Sequence, residues 1–166
     1  MTLQKSVGLI PAIGVEGQEV VVGQAVYLAF NPLSDGTVKA GAFAFKGTAS
    51  GNGEEFGYAS ATGSALLGFV ERVVDASIPN IKDAFTGVYP AGFKVTVAIR
   101  GQFYAKAPSA ISADGLKVYV DGTTGAVTVA AAPESGSDAI DTGWVCRIPN
   151  GGTSAAKGDT VIFEKF

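Results

Sequence analysis

The chain has 166 residues, 47% of them apolar and 16% charged, with a formal net charge of −3; this is the length of one ordinary domain, and it is too apolar for a disordered chain. Lys plus Arg is 12 against 15 for Asp plus Glu, so there is no cationic surplus to neutralise phosphates, and nucleic-acid binding by counterion release is excluded. The sequence has no histidine and one cysteine, which removes Ser–His and Cys–His nucleophiles, most zinc chemistry and any internal disulfide.

In chain order, residues 1–17 read as an extended arm whose apolar content is centred on Leu9, Ile10, Pro11 and Ile13, and residues 18–166 as the folded domain. Residues 19–30 predict a strand interrupted at Gly23, and residues 31–36 a turn built on Pro32 and the pair Asp35-Gly36. Residues 38–46 return as a strand, with Phe43 and Phe45 on one face and Ala42 and Ala44 on the other. Residues 47–63 read as a long glycine-rich exposed loop carrying Phe56 and Tyr58. A strand follows over 66–74, and a short helix is expected over 79–85, where Pro79 suits a first turn and Gly87 a stop.

In the next strand, residues 94–105, Val95, Val97 and Ile99 alternate with Lys94, Thr96 and Ala98, and Gly101 marks a bend that lets one strand serve two layers. Residues 116–120 and 126–130 flank Asp121-Gly122-Thr123-Thr124-Gly125, the strongest hairpin signal. After a polar loop over 133–141, strands at 144–148 and 160–165 close the chain. Eight or nine short strands with regularly spaced turns predict an all-β single domain, a β-sandwich or partly closed β-barrel. The longest apolar stretches, 25–30 and 126–132, fall short of the ~20 residues of a membrane helix, and no basic stretch with an apolar run opens the sequence, so a soluble protein without a membrane partner is expected.

Titratable residues do not converge. Glu54-Glu55 sits among glycines as a solvated loop tip, and Asp114, Asp121, Asp138, Asp141 and Asp159 stand beside or near Gly, Ser or Thr, where short carboxylates stabilise turns. The glycines of 47–53 lack the lysine-bearing spacing of a phosphate loop. Cys146 reads as an inert core thiol and Trp144 as packing. No catalytic residue, cofactor or metal ligand is expected. The anomaly is apolar residues outside strands: Leu9, Ile10 and Ile13, then Phe56 and Tyr58. Either the arm and loop fold over a barrel end, or they contact another chain, the arm adding to a neighbour's sheet edge through backbone hydrogen bonds. The alternative function is a carbohydrate-binding β-sandwich module, which requires Tyr27, Tyr58, Tyr104 and Trp144 on one exposed face. An enzyme working with carboxylates alone requires two acids in one pocket.

Five segments, in this order and spacing, carry a family likeness: Pro11-Ala12-Ile13-Gly14-Val15-Glu16-Gly17, Leu67-Gly68-Phe69-Val70-Glu71-Arg72, Tyr89-Pro90-Ala91-Gly92-Phe93-Lys94-Val95-Thr96-Val97, Gly101-Gln102-Phe103-Tyr104-Ala105, and Gly115-Leu116-Lys117-Val118-Tyr119-Val120 leading into the Asp121 hairpin. Together they resemble the structural cement proteins of tailed bacteriophages. The resemblance implies a β-rich decoration protein on the outside of an icosahedral head, at capsomer junctions, often trimeric, with no enzymatic activity and no cofactor. Its expected partner is the major capsid protein, and its expected location is the virion exterior after synthesis in the host cytoplasm. The residues expected to contact the shell or sister copies are Leu9, Ile10, Pro11 and Ile13, with Phe56 and Tyr58 second.

Overall fold

Residues 14–48, 57–73, 87–133 and 138–166 are described in the computed structural model. The arm residues 1–13, the loop residues 49–56 and the helix expected over 79–85 lie outside them. The described residues form ten strands: β1 Val26–Tyr27, β2 Leu33–Ser34, β3 Phe43–Gly47, β4 Tyr58–Ser60, β5 Leu66–Val70, β6 Val97–Lys106, β7 Leu116–Asp121, β8 Val127–Ala130, β9 Ala139–Arg147 and β10 Thr160–Lys165. Among them there is no α-helix, only a 3-10 turn at Pro149–Gly151.

Strand order is β2-β4-β3-β5-β6-β10-β9-β7-β8, with β1 also on β6. The path ends on β2 and β8, so the sheet folds over without closing, a sandwich-like domain. β6 serves both halves: Val97 and Ala98 pair with Val70 and Phe69 of β5, whereas residues 101–106 pair with 165–160 of β10. The change of partner falls on Gly101, whose φ is 133°. A Cβ there would stand 2.9 Å from the Cβ of Ala25 and 3.0 Å from the Phe103 ring, so the bend expected from the sequence requires glycine on both conformational and steric grounds.

Two apolar clusters follow from this topology. The larger lies between the sheet halves and contains Phe43, Phe69, Phe103, Val118, Trp144 and Phe163. Phe69 is its hub, with ring centroids 5.4 Å from Phe43, 5.3 Å from Phe103 and 5.6 Å from Trp144. The smaller packs on the opposite face of β3, β5 and β6, where Val38, Tyr89 and Val95 cover Ala44, Val70 and Val97. Tyr89 is pinned there, its hydroxyl donating to Glu71 O at 2.6 Å and accepting from Val73 N–H at 2.9 Å. Buried Thr142 donates to Val118 O at 2.7 Å and accepts from Trp144 N–H at 3.1 Å, as a buried hydroxyl must to offset its desolvation.

Several elements differ from expectation. The strand expected over 19–30 is reduced to β1, with Glu19 bridging Phe103 before the interruption at Gly23. The turn over 31–36 contains β2, and the loop over 47–63 contains β4; the two pair in parallel, Leu33 with Tyr58 and Ser34 with Ala59. Residues 38–42 form a turn before β3, in which Lys39 bridges Val88. β9 starts at Ala139, inside the expected polar loop. The one-sided alternation expected for β6 is overridden, because Ala98 is as buried as Val97, each in its own cluster.

Candidate functional site

The expected contact residues divide between described and undescribed parts of the chain. Leu9, Ile10, Pro11, Ile13 and Phe56 lie outside the described residues. Tyr58 is half-buried on β4, held between Leu33 and Gly47. It borders an apolar groove of about 430 Å³ shared with Leu28, Phe30, Pro32 and Leu67, with Lys46 as the charged residue on its rim. Phe30 is 63% exposed there. Tyr58 was found from the sequence as an aromatic in a glycine-rich stretch, but its partners come from a segment read as strand and turn.

A second apolar surface was not anticipated. Val20, Val21 and Val22 precede Gly23, and three consecutive β-branched residues cannot all face one side of a strand. The chain bulges here. The buried Glu19 carboxylate accepts backbone N–H groups from Gly23 at 3.0 Å, Gln24 at 2.9 Å and Ala25 at 2.6 Å, which stiffens the loop. Val22 is left 87% exposed at its tip. The sequence signal was the run of valines next to glycine, with an acid placed before it.

The chain approaches this region along β6. Gly17 N–H donates to Tyr104 O at 2.7 Å, Tyr104 N–H to Gln18 O at 2.9 Å and Arg72 N–H to Gly17 O at 2.9 Å. Gly14 lies against the Tyr104 ring so closely that a Cβ would meet its Cδ2 at 2.1 Å. Residues 14–17, the described end of the expected arm, are therefore docked on β6. Burial raises the pKa of Glu16, against the opposing field of Lys106, Arg72 and Lys39. Burial likewise raises Glu71, which hydrogen-bonds the Tyr27 hydroxyl. Tyr27 is itself pushed well above its ordinary value by burial and then by Glu71 and Glu19.

Of the acids considered for chemistry, Glu54 and Glu55 lie outside the described residues, and four aspartates serve turns and ion pairs. Asp121 accepts N–H groups from Thr123 and Thr124, both at 2.8 Å. Asp141 accepts Gly143 N–H at 2.9 Å and pairs with Lys117 at 3.0 Å. Asp114 accepts Ile148 N–H at 2.8 Å, and Asp159 accepts Ala156 N–H at 2.8 Å. The Cys146 thiol is pushed up to about 12, by burial first and by Asp114 second. Neighbouring Arg147 turns to Asp114 and Glu164. Trp144 is buried in the core, so it cannot join Tyr27, Tyr58 and Tyr104 in an exposed sugar platform. Among the described residues, no cluster of acids or cysteine has the grouping of a metal site, and no helix is long and apolar enough to cross a membrane.

Three comparisons bear on this surface. The family model described as structural cement protein, represented by gp24 of phage E217 and gp6 of phage Pam3, matches residues 3–164. The fold is similar to a chain in the solved capsid of Myoviridae phage XM1, with a TM-score of 0.58 and 13% identity over 99% of this chain and 97% of that one. No curated protein matches the sequence.

Proposed function

Because this chain belongs to the structural cement protein family, and is thereby a capsid-associated structural protein of a phage virion, we propose that it binds the head exterior at junctions between capsomers. There it opposes the outward pressure of packaged DNA by holding major capsid subunits together. It acts as a closed homo-oligomer, a trimer, without catalysis or cofactor, and reaches the virion after synthesis in the host cytoplasm.

The observation that supports this reading is the distribution of apolar surface. The described residues bury two apolar clusters, yet apolar side chains remain outside them in Val22, Phe30 and the groove beside Tyr58. Leu9, Ile10, Pro11 and Ile13 add to this surplus from the arm, and Phe56 from the loop. Joined copies engage a shell at high effective concentration, so each contact can be modest. A net charge of −3 also disfavours adhesion to the DNA being packaged.

The test is removal of residues 1–13, which spares the docked residues 14–17. The truncated protein is expected to unfold with an unchanged midpoint and to lose binding to undecorated heads in a co-sedimentation assay. Full occupancy by the truncated protein would remove the arm from the contact.

A further inference from the structure

A β-sheet edge exposes backbone donors and acceptors that either meet water or pair with another strand. The edges of this sheet are unequal. β2 is sealed on its outer side, where Ser34 N–H donates to Phe93 O at 2.7 Å and Val95 N–H to Pro32 O at 2.8 Å. β1 is two residues long and carries a register shift, so it offers little to pair with. β8 is the exception. It runs in unbroken register against β7, Val127 opposite Val120 through Ala130 opposite Lys117.

The hydrogen bond from Asp121 N–H to Ala126 O at 2.9 Å sets the phase of that ladder. Alternation then turns the backbone groups of Thr128 and Ala130 toward β7 and those of Val127 and Val129 outward. Among the described residues no backbone group pairs with this outer side, and the edge lacks the charges and proline that blunt edges. Residues 122–133 contain no charge, and β8 contains no proline. The hairpin is also held still, since Gly63 N–H donates to Gly122 O at 2.7 Å.

We propose that β8 is an acceptor edge and that residues 3–13 of a second copy add to it as a further strand. This rests on the arm reading above and deepens it by naming the acceptor. The donor segment carries one charge, Lys5, and apolar Leu9, Ile10, Pro11 and Ile13, which suits a neutral edge. Thirteen extended residues reach about 43 Å, whereas β8 lies four strand spacings, about 19 Å, from β6 in the same copy. The far end of the arm is thus long enough for its own β8, but Ile10, about 13 Å of extended chain from Gly14, is not, and the intervening surface opposes the same path.

From Gly14 at Tyr104, the path to the chain's own β8 crosses the outer face of β10, β9 and β7. Arg147 there is paired with Asp114 and Glu164, and Lys117 with Asp141. An apolar arm laid across these pairs would desolvate them without replacing their hydrogen bonds. Donor on β6 and acceptor on β8, at different places on one sheet, make a head-to-tail contact, the kind that closes into a ring.

The full-length protein tests this by cross-linking. An Ile10→Cys variant is mixed with a Thr128→Cys variant and treated with a bis-maleimide; Thr128 is exposed and the native thiol of Cys146 is buried. The expected product is a mixed species joined 10-to-128. Adding Val127→Pro to the Thr128→Cys partner, which removes one outward N–H and leaves the ladder to β7, is expected to weaken the association about tenfold. In the unsubstituted protein, amide exchange at Val127 and Val129 is expected to be slower than in the protein lacking residues 1–13.

No mixed product together with unchanged exchange would overturn the proposal. So would a monomeric 10-to-128 link in the double variant, or dominant 128-to-128 dimers. Head binding measured on the same samples separates the two readings. Cross-linking without head binding sinks the capsid contact alone, and head binding without cross-linking sinks the β8 assignment alone.

Discussion

Phe69 touches Phe43, Phe103, Trp144 and Phe163 at once, so truncating it removes one side of four ring contacts in the larger cluster. Phe69→Ala is expected to lower the unfolding free energy by about 3–5 kcal/mol in urea titration; a loss under about 1 kcal/mol would mean that the cluster repacks. Cys146 supplies a pH signature. Its folded pKa of about 12 lies above the unfolded value of roughly 8.5, so its contribution is intact below about pH 8.5 and is lost as pH rises toward 12. Between pH 8.5 and 10 the stability of the native protein is expected to fall by about 2 kcal/mol more than that of Cys146→Ala, measured by denaturant unfolding at each pH. Equal slopes would place the thiol in contact with water.

Among elements, β6 carries the architecture, because its bend at Gly101 divides its pairing between β5 and β10. Gly101→Val forces a β-branched residue to positive φ against Ala25 and Phe103. It is expected to cost about 3 kcal/mol, visible as a lowered thermal midpoint; an unchanged midpoint would show that the bend does not need glycine. The hairpin of β7 and β8 was readable because its turn is local, with the Asp121 carboxylate and carbonyl serving Thr123, Thr124 and Gly125 within four residues. β10 was readable for the same reason, as an alternating run bounded by turns. β2 and β4 were not, because two- and three-residue strands carry no period and their partners lie 25 residues apart.

For the whole molecule, one physical quantity links fold and role. The described residues bury two apolar clusters and still keep apolar residues on a loop stiffened by Glu19 and in the groove beside Tyr58. A monomer in water gains nothing from that surplus, whereas a protein that docks on another surface does, which is why the proposed capsid contact draws on it. Removal of residues 1–13 separates the two contributions, since the folded body is expected to keep its stability while occupancy on heads is lost.

Legible in the sequence were the all-β class, the bend at Gly101, the hairpin at Asp121, the buried thiol and the turn roles of Asp121, Asp141 and Asp159, because each depends on neighbours close along the chain or on residue types that are missing from it. It also carried the family, through the order of five short segments that the family model matches across residues 3–164. Only the packing of distant strands set which faces of β5 and β6 are covered, that Val22 and Phe30 are displayed, and that among the described residues β8 pairs on one side only while β2 is sealed. Burial and edge pairing are set by which distant strands meet, and the period of a single strand does not contain that information.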